Sequence, residues 1–230
     1  MPTRTTTAPP KSDRRPVRAV VFDLDGTLID TEWVFVEAAR RLLAGRGISF
    51  DADFMASILG TPANNSLPLF IERFGLPETM EAVAAEYKRF FLETLDANHA
   101  PLMPGARELL DRLDARGLPK AIATSSGREY VRQMFGPHGL LERFAFVLTA
   151  DDVTHGKPHP EIFLTAASRF DLPPGDVLVI EDSIHGIRAA KAAGTRAVLV
   201  PHAHTPEGDR AHADAVVASL AAPELWELIG

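Results

Sequence analysis

The sequence predicts an α/β protein: a parallel sheet covered by helices and interrupted once by an all-helical insert. Three observations carry that expectation. From Arg18 onward, short β-branched apolar runs alternate with stretches of helical period. The alternation stops between about Trp33 and Asn98, where apolar residues recur only at helical spacing. Acidic and hydroxyl residues stand directly after three of the apolar runs, the place where an open parallel sheet binds its ligands.

The runs expected to be strands are Ala19 to Phe22, Lys120 to Ala123, Ala145 to Leu148, Val177 to Ile180, Ala197 to Val200 and Ala215 to Val217. Helices are expected at Arg107 to Arg116, Arg128 to Phe135, Pro160 to Phe170 and Ile184 to Ala193, the last stopped by Gly194. These elements assign residues 17–31 and 101–230 to one core. The insert, residues 32–100, shows Val34, Ala38 and Leu42, then Leu67, Phe70 and Phe74, then Val83, Tyr87, Phe90 and Phe91 at helical intervals. Its exit, Ala100 to Gly105 (APLMPG), holds two prolines and a glycine, so no helix runs through it. Linkers are therefore expected near Leu28 to Glu32 and near Asn98 to Met103. Residues 1–16 are polar, rich in Thr, Pro and Arg, and lack the apolar stretch of a secretory signal, which reads as a disordered arm.

At 230 residues, with 46% hydrophobic and 24% charged residues, the chain can bury a substantial core. The absence of cysteine excludes disulfides, a thiolate nucleophile and a Cys-based zinc site. A formal charge of -7 gives no general electrostatic reason to bind nucleic acid or an anionic membrane. The apolar runs are far shorter than the roughly 20 residues that cross a bilayer. The expectation is a soluble cytoplasmic protein acting on a small molecule.

The chemistry concentrates at three strand ends. Asp23 and Asp25, in Asp23-Leu24-Asp25-Gly26-Thr27, leave a fully apolar run one residue apart. Like charges this close repel unless a cation or a shared proton offsets them, and a solvated Asx turn with an N-cap explains one aspartate easily and two poorly. Glu181 and Asp182 add two carboxylates at a second strand end, and an oxygen-only set of this kind suits Mg²⁺. Helix N-capping by Asp182 or Ser183 is the plainer account and is compatible with it. Thr124, Ser125, Ser126 and Gly127 offer hydroxyls and backbone N–H groups at a helix start, a cradle for an anion. Lys157, fixed in Gly156-Lys157-Pro158-His159-Pro160, is the counter-charge such a group of acids and a phosphate require. His155 and His159 are four apart, but Pro158 prevents their pairing on a helix, and His202, His204 and His212 lie in a Pro/Gly-containing loop that is a poor zinc site. Signatures of NTP, dinucleotide and serine-hydrolase sites are missing from the sequence.

The assembled motifs resemble the haloacid dehalogenase superfamily. Asp23-Leu24-Asp25-Gly26-Thr27-Leu28 is similar to its first motif, Thr124 to its second, Lys157 in GKPHPEIF to its third, and Glu181-Asp182 in VIEDSIHGIRAAKAAG to its fourth. The resemblance covers roughly residues 17–222 and implies a Rossmann-like core with the small helical cap of the β-phosphoglucomutase-like subgroup. It implies that Asp23 is the nucleophile, forming an aspartyl-phosphate, and that Asp25 is the general acid/base. Thr124, Ser125 and Lys157 would bind the transferring phosphoryl group, and Lys88 is the cap cation expected to touch substrate. Mg²⁺ would be held by Asp23, the backbone carbonyl of Asp25 and Asp182, with Glu181 ligating directly or through water. The implied activity is a magnesium-dependent phosphatase for a small phosphorylated metabolite; a phosphosugar mutase and a non-catalytic phosphometabolite-binding protein are the alternatives. Mutases of the subgroup carry a histidine twelve positions beyond the nucleophile, where this chain has Phe35, and an early cap arginine absent from Gly60-Thr61-Pro62-Ala63-Asn64. Both departures favour water as the acceptor.

Overall fold

Six parallel strands form one sheet in the computed structural model, which describes residues 16–58, 63–98, 100–201 and 207–230. The N-terminal arm up to residue 15, residues 60–62 of the missing-arginine stretch, and His202 and His204 lie outside the described residues. The strands are β1 (Ala19–Phe22), β2 (Lys120–Ala123), β3 (Val147–Leu148), β4 (Val177–Glu181), β5 (Arg196–Leu199) and β6 (Ala215–Val216), in the order β3-β2-β1-β4-β5-β6. The first strand is thus central, with β2 on one side and β4 on the other. Register sets Phe22 level with both Ile122 and Ile180, so the next residues, Asp23, Ala123 and Glu181, emerge together at the C-terminal edge.

Both sheet faces are dry, which is why the strands read as continuous apolar runs rather than alternating ones. Val20, Phe22, Ile122, Leu178 and Ile180 share one buried cluster with residues of α5 (Ala106–Ala115), α6 (Arg128–Phe135) and α9 (Pro223–Ile229). Ala19, Val21, Ala121, Val177 and Val179 share another with α7 (Glu161–Arg169) and α8 (Ile184–Ala192). The result is a three-layer arrangement of helices, sheet and helices.

Among the described residues, four helices lie between β1 and α5: α1 (Glu32–Ala44), α2 (Ala52–Ile58), α3 (Ala63–Phe74) and α4 (Met80–Asn98). They bury a cluster of their own that includes Ala39, Leu42, Leu43, Met55, Phe70 and Val83. The chain enters and leaves this segment by two stretches that run side by side: Asp30 N–H donates to the Pro101 carbonyl (2.8 Å) and Met103 N–H to the Leu28 carbonyl (2.9 Å).

The expected boundaries shift where local pairing decides. The third strand begins at Val147 rather than Ala145, and β4 extends to Glu181 because that residue still pairs with Leu199. Helix α9 has no counterpart among the expectations; it starts at Pro223 and is seven residues long, too short for a periodicity to show. No helix among the described residues is long and apolar enough to cross a membrane.

Candidate active site

At the end of β1 the chain turns back on itself. Leu24's carbonyl accepts the N–H groups of Thr27 (3.3 Å), Leu28 (2.9 Å) and Ile29 (3.1 Å), and Gly26 N–H donates to the Ile29 carbonyl (2.8 Å). Gly26 has φ +75°, a left-handed conformation that glycine adopts without the Cβ penalty. The turn returns Asp25 to the sheet edge, where the Ser126 hydroxyl donates to its Oδ2 (2.7 Å) and the Tyr130 hydroxyl to its Oδ1 (2.5 Å).

Lys157 ties the remaining strand ends together. Its ammonium donates to Asp23 Oδ1 (2.5 Å), Glu181 Oε1 (2.6 Å) and the Ala123 carbonyl (2.9 Å), one acceptor from each of β1, β4 and β2 or their margins. Glu181 is 1% exposed and fully engaged. Its Oε2 accepts from the N–H groups of Asp182 (3.1 Å) and Ser183 (3.0 Å) and from the Ser183 hydroxyl (2.9 Å). The same hydroxyl accepts from Gly186 N–H (3.0 Å), capping α8. Gly186 leaves the space that the Glu181 carboxylate fills, since a Cβ there would overlap Glu181 Oε1 and force that side chain to shift.

The electrostatics follow from burial. Desolvation, then the charges of Glu181 and Asp25, push the Asp23 carboxyl up to about 8 against the opposing pull of Lys157. Burial and the neighbouring Glu181 and Asp23 raise Asp182 well above the carboxylate range. Burial opposes the charge on Lys157, but Asp23 and Glu181 outweigh it and hold the ammonium above the ordinary lysine range. Asp25 is raised by burial, offset in part by hydrogen bonds from Tyr130, Ser126 and Thr31. One lysine therefore serves three crowded carboxylates, and ligand oxygens of Asp23, Glu181 and Asp182 lie within 4.8 Å of one another. This donor set, oxygen-only and short of positive charge, fits a hard divalent cation.

The family model for haloacid dehalogenase-like hydrolases matches residues 20–200. The chain belongs to that family. A Drosophila melanogaster protein named "Probable pseudouridine-5'-phosphatase" is 37% identical over 213 residues, covering 90% of this chain and 91% of the relative. The Thermotoga maritima "Phosphorylated carbohydrates phosphatase" is 33% identical over 212 residues, covering 90% and 95%. Among solved structures, β-phosphoglucomutase from Clostridium difficile superposes with a TM-score of 0.69 at 25% identity, covering 93% of this chain and 96% of that one.

In this haloacid dehalogenase-like hydrolase the residues singled out from sequence converge with one exception. Asp23, Asp25, Thr124, Ser125, Lys157, Glu181 and Asp182 all line a cleft of about 790 Å³. Thr124 is buried and its hydroxyl accepts Ser126 N–H (3.0 Å), whereas Ser125 is exposed. Lys88 is exposed on α4 and does not line the cleft; its neighbour Tyr87 does, because α4 turns residue 87 inward and residue 88 out. The facing wall is apolar and comes from the helical segment, with Phe35, Met55, Ile58, Leu67 and Phe70. Sequence reading missed Tyr130 as an Asp25 partner and Tyr87, whose hydroxyl donates to the Phe35 carbonyl (2.8 Å). Only the position of Tyr130 on the first turn after the Thr124 motif hinted at it. His155 and His159, unable to pair on a helix, meet instead across the turn, ring centroids 4.5 Å apart, beside the Glu161 carboxylate.

Proposed function

We infer that this hydrolase is a magnesium-dependent phosphatase acting in the cytoplasm on a small phosphorylated metabolite, through an aspartyl-phosphate on Asp23. The observation that carries the reading is the Lys157 bridge between Asp23 and Glu181 beside an independently held Asp25. The helical segment, residues 32–100, serves as a cap domain over a core of residues 17–31 and 101–230.

Asp23 attacks phosphorus through a carboxylate oxygen while the bond to the leaving oxygen breaks. Asp25 gives that oxygen its proton, so an alkoxide never has to depart. Lys157 and the Thr124 hydroxyl, with Ser125 at the rim, hold the phosphoryl oxygens. Asp25, now a carboxylate, takes a proton from a water whose oxygen bonds to phosphorus as the phosphorus–Asp23 oxygen bond breaks, releasing inorganic phosphate and the Asp23 carboxylate. Mg²⁺ would be held by Asp23, the Asp25 backbone carbonyl and Asp182, with Glu181 ligating directly or through water, and would supply the charge neutralisation that lets a carboxylate approach a phosphate dianion.

A mutase reading has one finding behind it, the likeness to β-phosphoglucomutase. Against it stands Phe35, whose side chain offers no hydrogen bond to an acid/base and packs instead on Phe91 (4.7 Å between centroids). A screen of phosphorylated metabolites for Mg²⁺-dependent phosphate release tests the assignment. β-Glucose 1-phosphate supplied with a bisphosphate primer should give inorganic phosphate; glucose 6-phosphate forming faster would overturn the phosphatase reading.

A further inference from the structure

A carboxyl on a short side chain rotates about its last bond, and hydroxyl partners that are themselves rotors do not fix it. Without Tyr130, the donors to Asp25 are the hydroxyls of Ser126 and Thr31, both rotors. Tyr130 supplies what is missing. It is the third residue of α6, so its backbone is set by the Ser126–Gly127 turn that opens the helix. The phenol oxygen then needs only two side-chain torsions to be placed, and the ring is itself held, stacked on Phe91 of α4 at 6.0 Å and 20°. Phe91 is buried and rests in turn on Phe35. An aromatic column from the helical segment thus holds a hydroxyl 2.5 Å from Asp25 Oδ1 while Ser126 takes Oδ2.

We propose that Tyr130 is the positioning residue for Asp25, fixing the rotation of its carboxyl group so that its proton reaches the leaving oxygen. The inference rests on the assignment of Asp25 as general acid/base. Tyr130 forms and breaks no covalent bond: Asp23 bonds to phosphorus, the phosphorus–leaving-oxygen bond breaks, and the proton passes from Asp25 to that oxygen. Need for this proton depends on the leaving group. A phenolate must be protonated more urgently than a nitrophenolate, which departs unaided.

The test compares kcat/KM, which reports steps up to departure of the leaving group, for phenyl phosphate and 4-nitrophenyl phosphate with the Mg²⁺-loaded full chain. Tyr130→Phe should lower kcat/KM for phenyl phosphate about tenfold or more, a part of the 10²–10⁴ that acid/base help is worth, with KM unchanged. For 4-nitrophenyl phosphate it should stay within about twofold. Phe91→Leu, which keeps the hydroxyl and removes the stacking partner, should give a smaller shift of the same selectivity and covers the case in which Tyr130→Phe does not fold. Asp25→Asn separates the two layers. If it shows no leaving-group dependence, the acid/base reading fails. If it does, and Tyr130→Phe lowers both substrates equally or neither, the positioning role alone is wrong.

Discussion

The two sides of the cleft are built differently. On the sheet side three charged groups are each held by more than one hydrogen bond: Glu181 accepts four, Lys157 donates three, and Asp25 takes one on each oxygen from Ser126 and Tyr130. On the helical side the wall is Phe35, Met55, Ile58, Leu67 and Phe70, held by packing, with Tyr87 fixed through a single backbone contact. Directional bonds fix groups to fractions of an ångström, as transfer of a phosphoryl group requires. Dispersion contacts tolerate exchange of one apolar shape for another. The proposed chemistry thus draws on the polar half, and the apolar half contributes shape.

Breaking the polar half should have the largest effect. Asp23→Asn removes the carboxylate proposed as nucleophile while keeping its shape, so phosphate release should vanish with an unchanged circular-dichroism spectrum; residual Mg²⁺-dependent turnover would remove Asp23 from the nucleophile role.

Metal removal should come next and should be pH-dependent. With Asp23 raised from 3.8 to about 8, the folded chain keeps a proton across that range that the unfolded chain has released. Stability from this group is therefore full below about pH 4 and is lost as pH rises through about 8, at no more than about 1.4 kcal/mol per pH unit. Chelated protein should melt at a lower temperature at pH 8 than at pH 6, and MgCl₂ should restore most of the difference by binding the carboxylate form. Melting temperatures that ignore both pH and Mg²⁺ would count against a cation among these acids.

A subtler break is Gly186→Ala. The new methyl group would occupy the Glu181 carboxylate, so that side chain must move and Lys157 loses an anchor. A loss of about 1–3 kcal/mol in urea unfolding, with reduced kcat, is expected; a variant with wild-type kcat would show that Glu181 does not need its present place. The smallest effect is on the apolar side. Tyr87→Phe removes one hydroxyl contact to a backbone carbonyl, about 0.5–1.5 kcal/mol, and should raise KM while sparing kcat. A fall in kcat at constant KM would erase the division between the two walls.

The sequence by itself determined the strand ends and the acids on them. Short continuous apolar runs bounded by turn residues and alternating with helices fit strands covered on both faces, and carboxylates placed directly after parallel strands share the sheet's C-terminal edge. That is why Asp23, Asp25, Thr124, Lys157, Glu181 and Asp182 were legible one motif at a time. Tertiary structure alone decided who holds them. The Tyr130–Asp25 bond spans 105 residues and the Phe91–Tyr130 stack joins two segments that no periodicity relates. It also decided that Tyr87 and not Lys88 faces the cleft, and that His155 and His159 meet without a helix. The physical reason is that local pattern fixes which side of an element is apolar, whereas the neighbour a polar or aromatic side chain meets depends on how whole elements pack.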